Sequence, residues 1–145
     1  MGRDAMGRAV LGLLLTFLGS CTMFGPPRWV DDFPSSDAQF IYGVGSAGVT
    51  FDRNPSKSKQ YAIDRAMQDL SFQIKTEVLA VSELRDTARS STLKVDSINL
   101  TESDLEGVEI VEVWIDRKGE VGKVDRTWVL VRMPHAQVQK ILSRF

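Results

Sequence analysis

The sequence predicts an α+β fold, a small antiparallel-biased sheet with one long helix and a C-terminal helix packed on it. Three observations carry this prediction. After residue 54, apolar residues recur three and four positions apart, which is typical of an amphipathic helix. Two apolar segments, residues 108–116 and 127–133, flank a glycine-containing turn and indicate an antiparallel hairpin. A proline at position 134 then opens a second helical pattern.

The N-terminal segment has the layout of an export signal. Arg3 and Arg8 accompany an apolar run, residues 9–18, of about ten residues, whereas a bilayer-spanning helix needs about 20. The run ends in LGSC at residues 18–21, which resembles the lipobox of bacterial lipoprotein signals. That resemblance implies that residues 1–20 are removed as a signal peptide and that Cys21 is acylated, for example with palmitate. The alternative is an ordinary secretory signal with a coincidental cysteine.

A lipidated Cys21 would hold the protein on a membrane. Each buried CH₂ contributes about 0.8 kcal/mol, so one acyl chain binds marginally while two or more bind stably. The residue after the cysteine is Thr22 rather than aspartate. By analogy with lipoproteins of diderm bacteria, this favours the outer membrane, at its periplasmic face or at the cell surface.

Length and charge limit what the mature chain can be. Removing residues 1–20 leaves 125 of 145 residues, enough for one domain, which we place at 39–145. Arg3, Arg8 and Asp4 leave with the signal, so 16 basic side chains face 18 acidic ones, a net charge of −2. The chain therefore has no basic surplus with which to attract nucleic acid.

Between the cysteine and the domain, residues 21–38 are expected to form a lipidated tether. Prolines such as Pro26 and Pro34 cannot continue a helix and bias the residues before them toward extended conformations. Trp29 is the exception in this polar segment. We expect it to pack on the domain surface, and a role in ligand binding is the alternative.

A short apolar strand from residue 40 runs into Gly43, Gly45 and Gly48, which spell G-x-G-x-x-G. That pattern binds dinucleotides when a helix begins at the glycines, but here the polar residues 50–56 intervene. We therefore expect no cofactor, and we interpret the glycines as allowing the next helix to pack close to the strand.

The long helix is expected to begin at Asn54-Pro55, with asparagine as the N-cap and proline in the first turn. Its apolar positions continue to Ile74. Beyond it, threonine and valine alternate with charged residues, so residues 75–84 are predicted to form a strand. An exposed edge of that strand would be a natural joining surface.

Residues 108–116 are the clearest strand, with Val111, Val113 and Ile115 expected on one face and Ile110 and Trp114 on the other. A strand that is apolar on both faces is usually central in its sheet or covered on both sides. Residues 117–125 form the turn, residues 127–133 return as the partner strand, and a last helix follows Pro134.

No combination of residues predicts a catalytic or metal site. The single histidine, His135, lies at a helix start, where a solvated first-turn residue is the expected role. The acidic run at residues 102–112 lacks the central glycine and alternating ligands of a calcium loop, so we expect a solvated face. We therefore predict that the protein is not an enzyme and has no metal or cofactor.

Several motifs together resemble the Lpp-twenty family of small bacterial lipoproteins. Besides the lipobox, they are PRWV at residues 27–30, YGVGSA at 42–47, LEGVEIVEVWID at 105–116 and WVLVR at 128–132. The resemblance covers most of residues 26–134. It implies a membrane-tethered, non-enzymatic envelope protein, and some similar proteins build rings associated with the outer membrane around the flagellar motor.

The leading hypothesis is accordingly a structural or assembly module that self-associates or docks on another envelope protein, with a flagellar association as a further expectation. The alternative is a binding module that holds a small lipid or peptidoglycan-type ligand in a pocket between sheet and helix. Trp29 and Tyr42 would line that pocket, and Arg132 would be its polar contact.

Overall fold

The computed structural model describes residues 25–85 and 98–144, in which a three-stranded sheet carries helices on both of its faces. This arrangement confirms the predicted α+β class. The predicted signal peptide and Cys21 lie outside the described residues. The elements are helix α1 (Arg28–Asp31), strand β1 (Phe40–Ala47), helix α2 (Pro55–Arg85), a 3₁₀-helix (Glu102–Leu105), strands β2 (Glu109–Asp116) and β3 (Arg126–Pro134), and helix α3 (His135–Leu142).

The sheet is antiparallel, with the strand order β1-β3-β2. Strands β2 and β3 form the predicted hairpin, with Trp114 opposite Trp128. The expectation that residues 108–116 are central in the sheet or covered on both sides is wrong, because β3 holds the central position and β2 is an edge strand with exposed apolar residues. Strand order depends on where the distant β1 pairs, and the local apolar pattern of β2 contains no information about that.

A bulge in β2 also changes which of its side chains share a face. Ile110 lies opposite Val131, and Glu112 lies opposite Leu130, so Val111 is an extra residue between the two pairs. After this extra residue the alternation shifts by one. Ile110 therefore shares a face with Val113, and the prediction that it shares a face with Trp114 is wrong.

Helix α2 begins where the sequence predicts. The side chain of Asn54 accepts hydrogen bonds from the backbone N–H groups of Ser56, at 3.0 Å, and Lys57, at 3.4 Å. The helix then continues through the predicted strand at residues 75–84 and ends at Arg85. Ile74 and Val78 are fully buried while Thr76 is exposed, which is a helical spacing. The hydroxyl of Thr76 donates to the carbonyl of Phe72, so its polar group is accommodated within the helix.

One side of α2 is a row of small and apolar residues spaced four apart. Because a helix turns about 100° per residue, a spacing of four drifts by about 40° at each step, so the row winds slowly around the helix. The helix packs against β1, β3 and α3. The buried members of the row are Ser58, Ala62, Ala66, Leu70, Ile74, Val78 and Ser82.

Helix α2 approaches β1 at two glycines. A Cβ atom added to Gly43 or Gly45 would lie less than 3.0 Å from backbone atoms of α2, including those of Ala66. The space for a side chain at these two positions is thus taken by the helix backbone. This agrees with the interpretation that the glycines allow close packing, and α2 begins only at Pro55, beyond the glycine segment.

The turn between β2 and β3 is held by Asp116, whose side chain is fully buried. Its carboxylate accepts the backbone N–H groups of Glu120, at 2.8 Å, and Val121, at 2.9 Å. Burial by itself raises the pKa of this carboxyl, but the N–H groups of the turn outweigh that effect and hold the pKa of Asp116 below its usual value.

Replacing Gly45 by alanine is expected to destabilise the protein by about 3 kcal/mol or more, because backbone atoms cannot move aside as a flexible side chain can. Gly48→Ala is the matched control, since a Cβ there meets nothing within 4 Å. Urea unfolding of the mature chain measures both changes. Equal stabilities of the two variants would contradict the close packing of α2 on β1.

Asp116→Asn is expected to lower stability at neutral pH, because an amide offers one acceptor oxygen where the turn presents two donors. A carboxyl with a lowered folded-state pKa stabilises above its unfolded pKa of about 3.9 and loses that contribution as pH falls through the folded value. The difference between wild type and variant should therefore narrow below about pH 4. Urea midpoints measured between neutral and acidic pH test this, and a constant difference would contradict it.

Candidate interaction surface

The outer edge of β1 is closed by side chains of α2. Arg65 donates to the carbonyl of Ser46 at 2.6 Å, and Gln73 donates to the carbonyl of Tyr42 at 2.7 Å. Between them, Asp69 accepts the backbone N–H of Val44 at 3.0 Å. The three helix residues are four apart and meet every second residue of the strand. No other strand could pair along this edge without displacing them.

The N–H of Tyr42 on this edge is also bonded, because it donates to the carbonyl of Ser35 at 2.9 Å. Ser36 forms a bridge with Ile41, so the segment before β1 folds back beside the start of the strand. The edge of β1 is thus blocked by α2 and by the chain's own N-terminal segment.

The outer edge of β2 lacks such a cover, as the direction of its backbone groups shows. Successive residues of a strand direct their N–H and C=O groups to opposite edges. Because the N–H of Val44 points to the outer edge of β1, the backbone groups of its neighbour Gly45 point to β3. Gly45 pairs with Val129, so the next residue of β3, Leu130, faces β2 and pairs with Glu112.

The same alternation along β2 directs the N–H and C=O groups of Val113 and Ile115 outward. Among the described residues, the carbonyl of Ile115 accepts the N–H of Arg117 at 2.9 Å. Within the described ranges, 25–85 and 98–144, no hydrogen-bond partner is found for the N–H and C=O of Val113 or for the N–H of Ile115. The β2 edge is therefore open.

The open edge is flanked by apolar and acidic side chains. Ile110 is 49% exposed and Val111 is 43% exposed, so this strand presents two adjacent large apolar side chains to solvent. Strand β2 also carries three carboxylates and no basic residue, Glu109, Glu112 and Asp116.

The face of the sheet opposite α2 is covered in part by the N-terminal segment. Val30 in α1 is buried, and the ring of Phe33 lies 6.0 Å from the ring of Trp128. The indole N–H of Trp29 donates to the carboxylate of Glu112 at 2.8 Å. This part of the predicted tether therefore packs on the sheet.

Tyr42 and Arg132 lie opposite each other on this same outer face. The Arg132 guanidinium is 2.8 Å from the Glu109 carboxylate and 4.2 Å from the centre of the Phe40 ring.

The hydroxyl of Tyr42 donates to Asp37 at 2.6 Å. This hydrogen bond, followed by those from the N–H groups of Gln39 and Phe40, lowers the pKa of Asp37, and it raises the pKa of Tyr42. The carbonyl of Asp37 lies 2.9 Å from the imidazole of His135 in the first turn of α3.

The three residues predicted to contact a ligand thus share one face of the sheet, but they do not lie between sheet and helix. Trp29, Tyr42 and Arg132 are each paired with a carboxylate of the same chain. The space between the sheet and α2 is filled by buried residues such as Leu70 and Val131. A role of Trp29, Tyr42 and Arg132 in binding stays a prediction, as does lipidation of Cys21.

Surface clefts in the described part of the chain include three that are lined by other residues. A cleft of about 510 Å³ is lined by residues that include Val49, Arg53, Ile115 and Val124. Another, of about 660 Å³, lies between the N-terminal segment at residues 25–28 and the second half of β2. The third, of about 330 Å³, is beside Phe72.

Within the described ranges, the helices are too short or too polar to cross a membrane. Within the same ranges, histidine, cysteine and carboxylate side chains form no group of three that could hold a metal ion. Several acidic residues in and around β2 take part in internal bonds, such as those of Glu109 with Arg132 and of Asp104 with the N–H of Thr101.

The sequence analysis missed the residues that close the β1 edge. Arg65, Asp69 and Gln73 recur at a spacing of four beside the apolar row of α2, and that spacing was a detectable signal. Their partners were not detectable, because any polar stripe on a helix flank is usually solvated.

Comparison with known proteins gives one family. A family model described as LPP20 lipoprotein matches residues 27–132. Among solved structures, the chain is similar to the secreted protein HP1454 from the human pathogen Helicobacter pylori, with 18% sequence identity and a TM-score of 0.44. The match covers 72% of this chain and 34% of that one, so this chain spans about a third of its length. A search of curated proteins found no match.

Asp69→Ala is expected to destabilise the protein by about 1–3 kcal/mol, because it leaves the partly buried N–H of Val44 without an acceptor. Asp64→Ala on the same helix is the control. Asp64 is exposed and accepts a hydrogen bond from Gln60, so its loss should change stability by less than about 0.5 kcal/mol. Urea unfolding compares the two variants, and equal effects would show that the β1 edge does not depend on Asp69.

Proposed function

Because the chain belongs to the LPP20 lipoprotein family, we propose that it is a lipid-anchored protein of the bacterial cell envelope whose domain works as a non-enzymatic assembly module. In this proposal the domain self-associates or docks on another envelope protein. The outer membrane is the favoured location, and an association with the flagellum is one setting for such a module.

The dense packing between α2 and the sheet carries this proposal. Ala62, Ala66, Leu70, Ile74 and Val78 are all 0% exposed. The nearby glycines leave no room for even a methyl group. A module that held a ligand in its core would need a roomy apolar cavity at this interface. A filled interface supports a function that is performed by the surface.

The position of the N-terminal segment limits how far the domain could lie from a membrane to which Cys21 is anchored. Gly25 lines the cleft at the second half of β2, and Cys21 is four residues before it. Four residues reach at most about 14 Å even when fully extended. A lipidated Cys21 would therefore hold the domain close to the bilayer, with the end of β2 near the lipid surface.

A surface binding module is the second candidate. The cleft of about 510 Å³ combines the apolar side chains of Val49, Ile115 and Val124 with Arg53 and Arg117. This combination suits an anionic amphiphile, such as a lipid fragment. The two candidate functions differ in the oligomeric state that they require, because a ligand-holding module can work as a monomer.

The test of the anchor compares full-length wild type with Cys21→Ser, expressed in a diderm bacterium and labelled with a fatty acid. We expect the wild type to carry the label and to fractionate with membranes, because acylation adds the apolar surface needed for stable binding. Cys21→Ser should lose both properties, while Thr22→Ser, the control, should keep them. An unlabelled wild type would refute the anchor.

Assembly is tested in the same cells by crosslinking, followed by sizing of the detergent-extracted protein. We expect oligomers of the chain or a retained partner protein. A strictly monomeric chain without a partner would refute the assembly function. A monomer that retains a lipid in the presence of Arg53 and Arg117, and loses it in Arg117→Gln, would support the second candidate instead.

A further inference from the structure

We propose that the open edge of β2 receives an extended segment of another envelope protein, in which basic and apolar residues alternate, as a fourth strand of the sheet. This inference rests on the proposed assembly function and names the surface and the chemistry of the partner. Main-chain hydrogen bonds would supply affinity, and the alternating side chains would supply selectivity.

The two edges of the sheet leave a single place for an added strand. Three outward backbone groups of β1 are bonded by side chains of α2, namely Arg65, Asp69 and Gln73, and these side chains stand in the way of an added strand. The N–H and C=O of Val113 on β2 point outward and have no partner among the described residues. An incoming strand could satisfy them at once, together with the N–H of Ile115.

Exposed apolar side chains accompany these backbone groups. Ile110 shares a face with Val113, and it is 49% exposed although its cross-strand neighbour Val131 is fully buried. A residue of an edge strand has a neighbouring strand of its own sheet on one side only. Apolar side chains of an added strand, pointing to the α2 side, would cover Ile110 from the other.

The other face of the added strand would meet acidic groups. Glu112 is exposed, and its one described partner is the uncharged indole of Trp29, so its negative charge is not compensated by that bond. Glu109 lies on the same face and shares its charge with Arg132. A basic residue placed opposite Glu112 would therefore form a favourable cross-strand pair.

The same carboxylates argue against a second copy of this chain as the occupant. Pairing β2 with the β2 of another copy would bring together two strands that each expose Glu109 and Glu112 and contain no basic residue. Like charges across a pair of strands are destabilising. Pairing β2 with the β1 edge of another copy is blocked by α2. The carboxylates and the bulge at Val111 thus disfavour pairing with an acidic or neutral strand, and the carboxylates favour a basic one.

The probe for this inference is an eight-residue peptide in which lysine and valine alternate, titrated into the full-length lipidated protein in detergent. A glutamate–valine peptide is the charge control. A lysine–valine peptide methylated on alternate backbone nitrogens is the hydrogen-bond control. We expect only the unmethylated lysine–valine peptide to bind. Its dissociation constant should lie below about 1 mM, which corresponds to a binding free energy of about −4 kcal/mol or stronger.

Two variants place the peptide on β2. Val113→Pro removes an N–H that the β2–β3 pairing does not use, and proline is tolerated on edge strands, so the protein should fold while binding falls about tenfold. Glu112→Gln keeps an acceptor for Trp29 but removes the charge, and it should weaken binding about two- to fivefold. Glu83→Gln on α2 is the matched control and should not change binding.

Several results would overturn the inference. They are equal binding of the glutamate–valine peptide, undiminished binding of the methylated peptide, or no saturation at millimolar concentration. A wild-type dimer that Val113→Pro dissociates would identify a second copy as the occupant and would also overturn it. A crosslinked complex that persists in cells expressing Val113→Pro would refute this surface while the assembly function stands. The lack of any complex with wild type would refute the assembly function itself.

Discussion

Gly43 and Gly45 let helix α2 lie directly on the backbone of β1, and the asymmetry of the sheet follows from this contact. With the helix backbone so close to the strand, side chains of ordinary length on its flank reach past β1 to its outer edge. Arg65, Asp69 and Gln73 do so at the carbonyls of Ser46 and Tyr42 and at the N–H of Val44. A larger residue at either glycine would push the helix away and remove these bonds together. Close packing and edge closure are thus one structural feature.

The N-terminal segment completes the fold from the other side. Val30 is buried on the face opposite α2, and Trp29 and Phe33 contact Glu112 and Trp128. A three-stranded sheet with one uncovered face would expose a large apolar area, and this segment reduces it. The same packing places Trp29, Val30 and Phe33, which belong to the predicted tether, on the sheet. The segment that links the domain to its predicted anchor is therefore also part of the domain.

The features that the sequence analysis predicted correctly are those with local causes. Asn54-Pro55 and Pro134 mark helix starts because capping and a fixed φ act on neighbouring residues. The hairpin was found because its strands and turn are consecutive. The second half of α2 was assigned to a strand since Thr76 and Val78 imitate a two-residue period, and only packing shows that Val78 belongs to a row spaced by four.

Features that depend on distant contacts could not be predicted in this way. The edge position of β2 depends on β1 pairing with β3, and the bulge at Val111 depends on register. Trp29, Tyr42 and Arg132 were predicted to contact a ligand, and their observed partners Glu112, Asp37 and Glu109 are decided by the fold rather than by neighbouring sequence. The motif at Cys21 is read locally, which is why it carries the most specific functional prediction.

An open edge beside exposed apolar residues is a liability in an isolated domain, because any extended chain can pair with it. This protein closes one edge with three hydrogen-bonding side chains and leaves the other with carboxylates and a bulge, which discourage pairing without preventing it. Strand β2 also ends near Gly25, so a lipidated Cys21 would keep the open edge within reach of the bilayer. A partner segment held at the same membrane would then meet this edge at a high local concentration, and modest affinity per strand would suffice for assembly.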